Sequence, residues 1–167
     1  MPFGILKRSG KVWSYMKKIV IGCDNAAVSL KNTVRDYAKS LGYEVEDVGV
    51  PDSSDTTYYP LVAERVCQKI IDCNYEKDGI LICGTGIGMA MTANKFKGIR
   101  AAVCHDNYSA ERSKLSNNGN VLCMGARVIG PELAKKITRE WLQLEFKDGS
   151  STPKVNAMEE IEQHNLK

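Results

Sequence analysis

Residues 79–88 read Gly79-Ile80-Leu81-Ile82-Cys83-Gly84-Thr85-Gly86-Ile87-Gly88. A short apolar run breaks into alternating glycines, and an Ala- and Met-rich segment follows as far as Asn94. That is a buried strand over Gly79 to Ile82, a tight turn and a helix. The same unit recurs on both sides. Upstream, the run Ile19 to Cys23 precedes Asp24 and Asn25, which are suited to cap a helix with Val28, Leu30, Val34, Tyr37 and Leu41 on its apolar positions and Gly42 at its end. Val45 to Val48 forms the second strand. The next helix has Pro60 in its first turn and Leu61, Val62, Val66, Ile70 and Ile71 at helical spacing. Downstream come a strand Ile99 to Cys104, a helix Tyr108 to Leu115, a strand Val121 to Met124, and a helix Pro131 to Phe146 with Leu133, Ile137, Trp141 and Leu142 inward. Strand and helix alternate five times, which predicts an α/β fold with a doubly wound, five-stranded parallel sheet and helices on both faces. An extra C-terminal helix from about Pro153 to Gln163 follows the Gly149-Ser150-Ser151 break. It falls outside the repeat and is free to pack on a partner subunit.

Residues 1–15 carry no helical or strand periodicity and read as an N-terminal extension, leaving 16–167 as a single domain. The 167 residues are 43% hydrophobic and 26% charged, enough for one compact core. The 23 basic and 20 acidic residues differ only by Lys7, Arg8 and Lys11 of the extension, so the body is neutral. A neutral body without a basic block argues against nucleic acid as a partner. No apolar run approaches the roughly 18 to 20 residues of a membrane span, and no secretory apolar stretch opens the chain. A soluble cytoplasmic protein without membrane association is expected. Cys23, Cys67, Cys73, Cys83, Cys104 and Cys123 show no C-x-x-C spacing, and His105 and His164 are far apart. No metal site is expected, and most of the cysteines read as small core residues held as thiols.

In open parallel sheets, ligands sit beyond the carboxyl ends of the strands. Those ends carry Asp24-Asn25, the Thr56 to Tyr59 loop, Cys83 to Gly88, His105-Asp106 and Gly125-Ala126-Arg127. Gly84, Gly86 and Gly88 allow backbone amides to converge in front of a helix, which makes an anion site. The spacing is neither a P-loop nor the dinucleotide fingerprint, so nucleotide binding is disfavoured. The alternative is a glycine turn that serves only close packing of strand on helix. Cys83 immediately precedes this cluster, where the positive end of a helix favours the thiolate that can accept a proton. A base beside a pocket for negative charge suits proton abstraction next to a carbonyl and stabilisation of the resulting enediolate.

The motif Ile80 to Met89, with Ala93-Asn94-Lys95, Gly98-Ile99-Arg100-Ala101, Cys104-His105-Asp106, Tyr108-Ser109-Ala110, Asn120-Val121-Leu122 and Gly125 to Gly130, resembles the type B ribose-5-phosphate isomerases and their galactose-6-phosphate and allose-6-phosphate relatives. The resemblance runs from about Lys17 to Glu162. It implies a Rossmann-like homodimer, or a tetramer made of two such dimers, with no cofactor, acting on a small sugar phosphate and building each site from two subunits. It implies that Cys83 moves the proton between C1 and C2, that Thr85 takes part in catalysis, and that Gly84, Gly86 and Gly88 form the enediolate pocket. Asp24, Tyr59 and Asn117 would bind or open the sugar, and Arg127 would hold phosphate.

Five positions depart from the family's pattern. Asn25 stands where a histidine is usual. Ser116 replaces the histidine, assigned to ring opening, that precedes Asn117. Ser150 and Lys154 replace two phosphate-gripping arginines, and Tyr58 replaces an aspartate before Tyr59-Pro60. Lys154 keeps a charge without the bidentate fork. Ring opening then falls to Ser116, His105 or water, unless the enzyme draws on open-chain substrate. His105 reads otherwise as a hydrogen-bonded structural residue. The resemblance implies interconversion of ribose 5-phosphate and ribulose 5-phosphate in the pentose phosphate pathway. The alternatives are isomerisation of a six-carbon sugar phosphate and a non-catalytic sugar-phosphate sensor.

Overall fold

The apolar runs form strands, and the three central ones are buried on both faces. In the computed structural model, which describes residues 18–166 and a short backbone ladder pairing Lys7–Arg8 with Lys11–Val12, five parallel strands make one sheet. The reading of 1–15 as an extension otherwise lies outside the described residues. In chain order the elements are β1 (Ile19–Cys23), α1 (Val28–Ser40), β2 (Val45–Asp47), α2 (Tyr59–Asp72), β3 (Asp78–Cys83) and α3 (Ile87–Ala93). They continue with β4 (Ala101–Val103), α4 (Asn107–Leu115), β5 (Val121–Gly125), α5 (Pro131–Leu142) and α6 (Thr152–Asn165). The strand order is β2-β1-β3-β5-β4. The three central strands are buried throughout, whereas the edge strands β2 and β4 have three residues each and are partly covered. Helices pack as α2 with α3, and as α1 and α4 with α5. The register sets Cys23 beside Ile82 and Cys83 beside Gly125, which aligns three strand ends on one rim.

Local chemistry fixes several boundaries. Gly42, at φ 96°, closes α1. Asp106 caps α4 by accepting the Ser109 amide at 2.7 Å. Pro60 and Pro131 occupy first turns, where a missing N–H costs nothing. Beneath α5, the Lys114 ammonium meets the Asp78 carboxylate at 2.7 Å and lies 3.9 Å from the centre of the Trp141 ring, all three being buried.

Several sequence expectations need correction. Asp24 does not cap α1: its Oδ1 accepts the Ala26 amide at 3.1 Å, and the cap position falls to Ala27. Met91 is 66% exposed while Met89 is buried, because residues two apart on a helix face different ways. Leu61 lies off the covered stripe of α2 and is half exposed. Helix α5 stops at Leu142 rather than Phe146. Helix α6 is docked on its own chain: Glu162 accepts the Gly98 amide at 2.9 Å, Glu159 faces Arg100 at 3.6 Å, and Val155 is buried.

Candidate active site

Cys83 ends β3 at the carboxyl rim of the sheet, 5% exposed. The chain then turns sharply through Gly84 and Thr85 to Gly86, whose φ of 78° and 2.9 Å approach to the Met124 carbonyl carbon, measured from where a Cβ would stand, admit only glycine. This turn sends the Gly86 amide back to the Cys83 Sγ at 3.0 Å. The Ile87 amide points to the Thr85 hydroxyl at 3.3 Å. The anion pocket expected from the loop amides is therefore partly spent inside the loop, on the sulfur and on Thr85.

Neighbouring strand ends brace the loop. The Ala126 amide donates to the Cys83 carbonyl at 2.8 Å and the Arg127 amide to the Gly84 carbonyl at 3.0 Å. Arg127 is exposed, and its Nη1 lies 3.3 Å from where a Gly84 Cβ would stand. Tyr59, the first residue of α2 and 42% exposed, lays its ring against Gly88, where a Cβ would be 2.5 Å from a ring carbon. Asp24 is half-buried after β1. Burial raises its carboxyl pKa, while the Ala26 amide and the charge of Arg127 pull the other way. Asn25, beside it, is exposed. Cys83, Thr85, Gly84, Gly86, Gly88, Tyr59, Asp24 and Arg127 thus share one rim.

His105 also stands at this rim, but its Nε2 accepts the Gly125 amide at 2.8 Å. Its pKa is lowered by burial, with Asp106 acting in the opposite sense. The ring is held neutral as an acceptor, which supports the structural reading of this residue. The contribution of Gly125 was not singled out from sequence. It anchors His105 and passes so close to Thr85 that a Cβ would stand 2.7 Å from the Thr85 backbone. A glycine at the end of a strand beside the loop was the available signal.

Three residues stand elsewhere in the chain. Helix α4 runs from the carboxyl rim back to the start of β5, so Ser116 and Asn117 end on the opposite rim. Ser116 Oγ accepts from Arg112 at 3.3 Å. Asn117 lines a cavity of about 460 Å³ between α6 and the β4 edge, with Ile99, Met158 and Ile161. Lys154 is exposed in the first turn of α6, away from the anchoring contacts of that helix at Gly98 and Arg100. The other cysteines have a different character. Burial pushes Cys23 and Cys67 up to about 12 and raises Cys104 and Cys123 as well, leaving four inert thiols.

A sulfur at a strand end, a glycine turn folded around it, and an arginine beside the turn on a doubly wound sheet make an α/β site suited to a small anionic substrate. Residues 19–158 match the Ribose/Galactose Isomerase family, and the chain belongs to that family. It is 51% identical over 140 residues to a D-erythrulose-4-phosphate isomerase of Pectobacterium atrosepticum, covering 84% of this chain and 91% of the relative. It is 48% identical over 148 residues to a ribose-5-P isomerase B of Listeria innocua, covering 89% and 99%. The structure of ribose-5-phosphate isomerase B from Mycoplasma genitalium with bound ribulose-5-phosphate superposes with a TM-score of 0.84 at 30% identity, over 89% of this chain and 97% of that one. The Rossmann-like reading of the fold holds, and the chain is an aldose–ketose isomerase of sugar phosphates. No helix among the described residues is long and apolar enough to cross a membrane.

Proposed function

We propose that this chain interconverts a short aldose phosphate and its 2-ketose, in the manner of ribose 5-phosphate and ribulose 5-phosphate, with Cys83 as the base. The observation that carries this reading is the 3.0 Å contact from the Gly86 amide to the Cys83 Sγ, made at a strand end with Arg127 beside it. The thiolate takes the proton from C2 of the open aldose, and the electron pair moves through C1 onto the carbonyl oxygen. The enediolate so formed is held by Thr85 and nearby amides. The thiol returns the proton to C1, and a proton moving from O2 to O1 completes the ketose. Arg127 holds the phosphate, while Asp24 and Tyr59 contact the hydroxyls.

Asn117, on the opposite rim from Cys83 in its own subunit, would reach such a site from a second copy of the chain, and Lys154, exposed on α6, would join it there. A homodimer with two shared sites is the corresponding assembly, working in the cytoplasm on pentose phosphates or their four-carbon counterparts. Relatives of nearly equal identity are named for a four-carbon and a five-carbon substrate, and both lengths fall within the proposal. Purified protein assayed with ribose 5-phosphate, erythrose 4-phosphate, allose 6-phosphate and galactose 6-phosphate tests it. Turnover of one of the two shorter sugars, lost in Cys83→Ser, is the expected result. Turnover confined to a hexose phosphate would move the substrate, and no turnover would leave a binding protein.

A further inference from the structure

Converting a cyclic sugar requires a second proton relay, and the site holds no free imidazole to supply it. A pentose 5-phosphate exists almost entirely as a furanose. Its C1 becomes a carbonyl only when O1 loses a proton and the ring O4 gains one, a relay distinct from the transfer at C2. The chain has two histidines. His105 is at the right rim, but its Nε2 is occupied by the Gly125 amide at 2.8 Å. His164 lies ten residues beyond Lys154 on α6, about 15 Å along the helix axis. It cannot share a small site with Lys154, whichever subunit provides it. Asn25 is an amide and Ser116 a hydroxyl engaged by Arg112, so neither exchanges a proton near neutral pH. Two acids remain at this rim, and Asp106 is committed to capping α4 through the Ser109 amide. Asp24, whose carboxyl pKa is raised by burial against the pull of the Ala26 amide and of Arg127, has Oδ1 taken by that amide.

A four-carbon aldose 4-phosphate needs no such relay. Its O4 is esterified, and closure through O3 would give a four-membered ring, so its carbonyl is exposed without ring opening. One base and a pocket for the enediolate then suffice, and this rim provides both. The spacing agrees: the guanidinium that would take the phosphate lies against Gly84, the residue next to the base. We infer that the site selects substrates that cannot cyclise, the four-carbon aldose 4-phosphate and its 2-ketose, and has given up assisted ring opening. This rests on the isomerase reading and on Cys83 as its base.

The test compares kcat/KM for D-erythrose 4-phosphate and ribose 5-phosphate with the full chain at neutral pH. The expected result is a value at least tenfold higher for the four-carbon substrate, with both activities lost together in Cys83→Ser. A kcat/KM for ribose 5-phosphate equal to or above that for erythrose 4-phosphate overturns the inference and leaves the isomerase reading standing. Absence of turnover on both overturns the reading of this chain as an isomerase of short sugar phosphates, and activity that survives Cys83→Ser removes Cys83 as the base on which the inference rests.

Discussion

The Gly86 amide stands 3.0 Å from the Cys83 Sγ, three residues back along the chain, and the left-handed φ of Gly86 makes that return possible. Backbone and side chain are therefore one unit: the turn that shapes the pocket also brings an amide onto the sulfur. Cys83→Ser tests the unit with little disturbance, since the side chain is buried and the replacement similar in shape. The fold and melting temperature should change little. Turnover should fall by roughly 100- to 10,000-fold, the range expected of a lost general base. Retention of a tenth of the wild-type rate would remove Cys83 from that role, and substrate protection against thiol alkylation would support it.

Arg127 is exposed and braced through its amide to the Gly84 carbonyl, so its side chain can be changed without moving the loop. Arg127→Ala should raise KM for the sugar phosphate more than it lowers kcat, because a phosphate grip holds a group that is unchanged between substrate and transition state. Lys154→Ala should act in the same direction, more weakly. Steady-state kinetics on both variants decide this, and an unchanged KM in both would place the phosphate elsewhere.

What the sequence made legible is what local pattern encodes. Continuous runs such as Ile80-Leu81-Ile82 can only be buried strands in a chain without membrane-length segments, and the glycines after Cys83 marked the turn. Contacts fixed by neighbouring strands were out of reach. The bond from Gly125 to His105 spans 20 residues and exists because β4 pairs with β5. The place of Ser116 and Asn117 on the opposite rim follows from the direction of α4 within the assembled sheet. Periodicity also overreached: residues 143–146 continue an apolar pattern, yet Gln143 already caps α5.

The buried pair Lys114–Asp78 supplies a stability test away from the site. At 2.7 Å, under the Trp141 ring, the two charges are nearly inaccessible to water. Lys114→Met should lower stability in urea unfolding, because it removes the ammonium that stands 2.7 Å from a buried carboxylate. The double variant Lys114→Met with Asp78→Leu should cost less than the single one. A single variant that loses under 1 kcal/mol, roughly the value of a surface pair, would show that the pair contributes little.

His105 gives the protein a stability that depends on pH. As a neutral acceptor it satisfies the Gly125 amide, and its proton affinity in the folded state is below the ordinary value of 6.5 because burial disfavours the charged ring. The unfolded chain thus binds a proton at a higher pH than the folded one. Stability from this group is complete above about pH 6.5 and falls as the pH drops from there toward the lowered folded value. Protonation also turns Nε2 from acceptor to donor, so the Gly125 amide loses its partner beside the Thr85 backbone. Activity should decline over the same window as β5 loosens its hold on the loop. His105→Ala should lower stability by about 1–3 kcal/mol at pH 7.5, the cost of an unsatisfied amide. It should also flatten the dependence of melting temperature on pH between 7.5 and 5.5. His105→Gln, with an amide oxygen able to accept from Gly125, should recover part of the stability without restoring the pH dependence. Parallel slopes for wild type and His105→Ala would show that another group governs the acid limb.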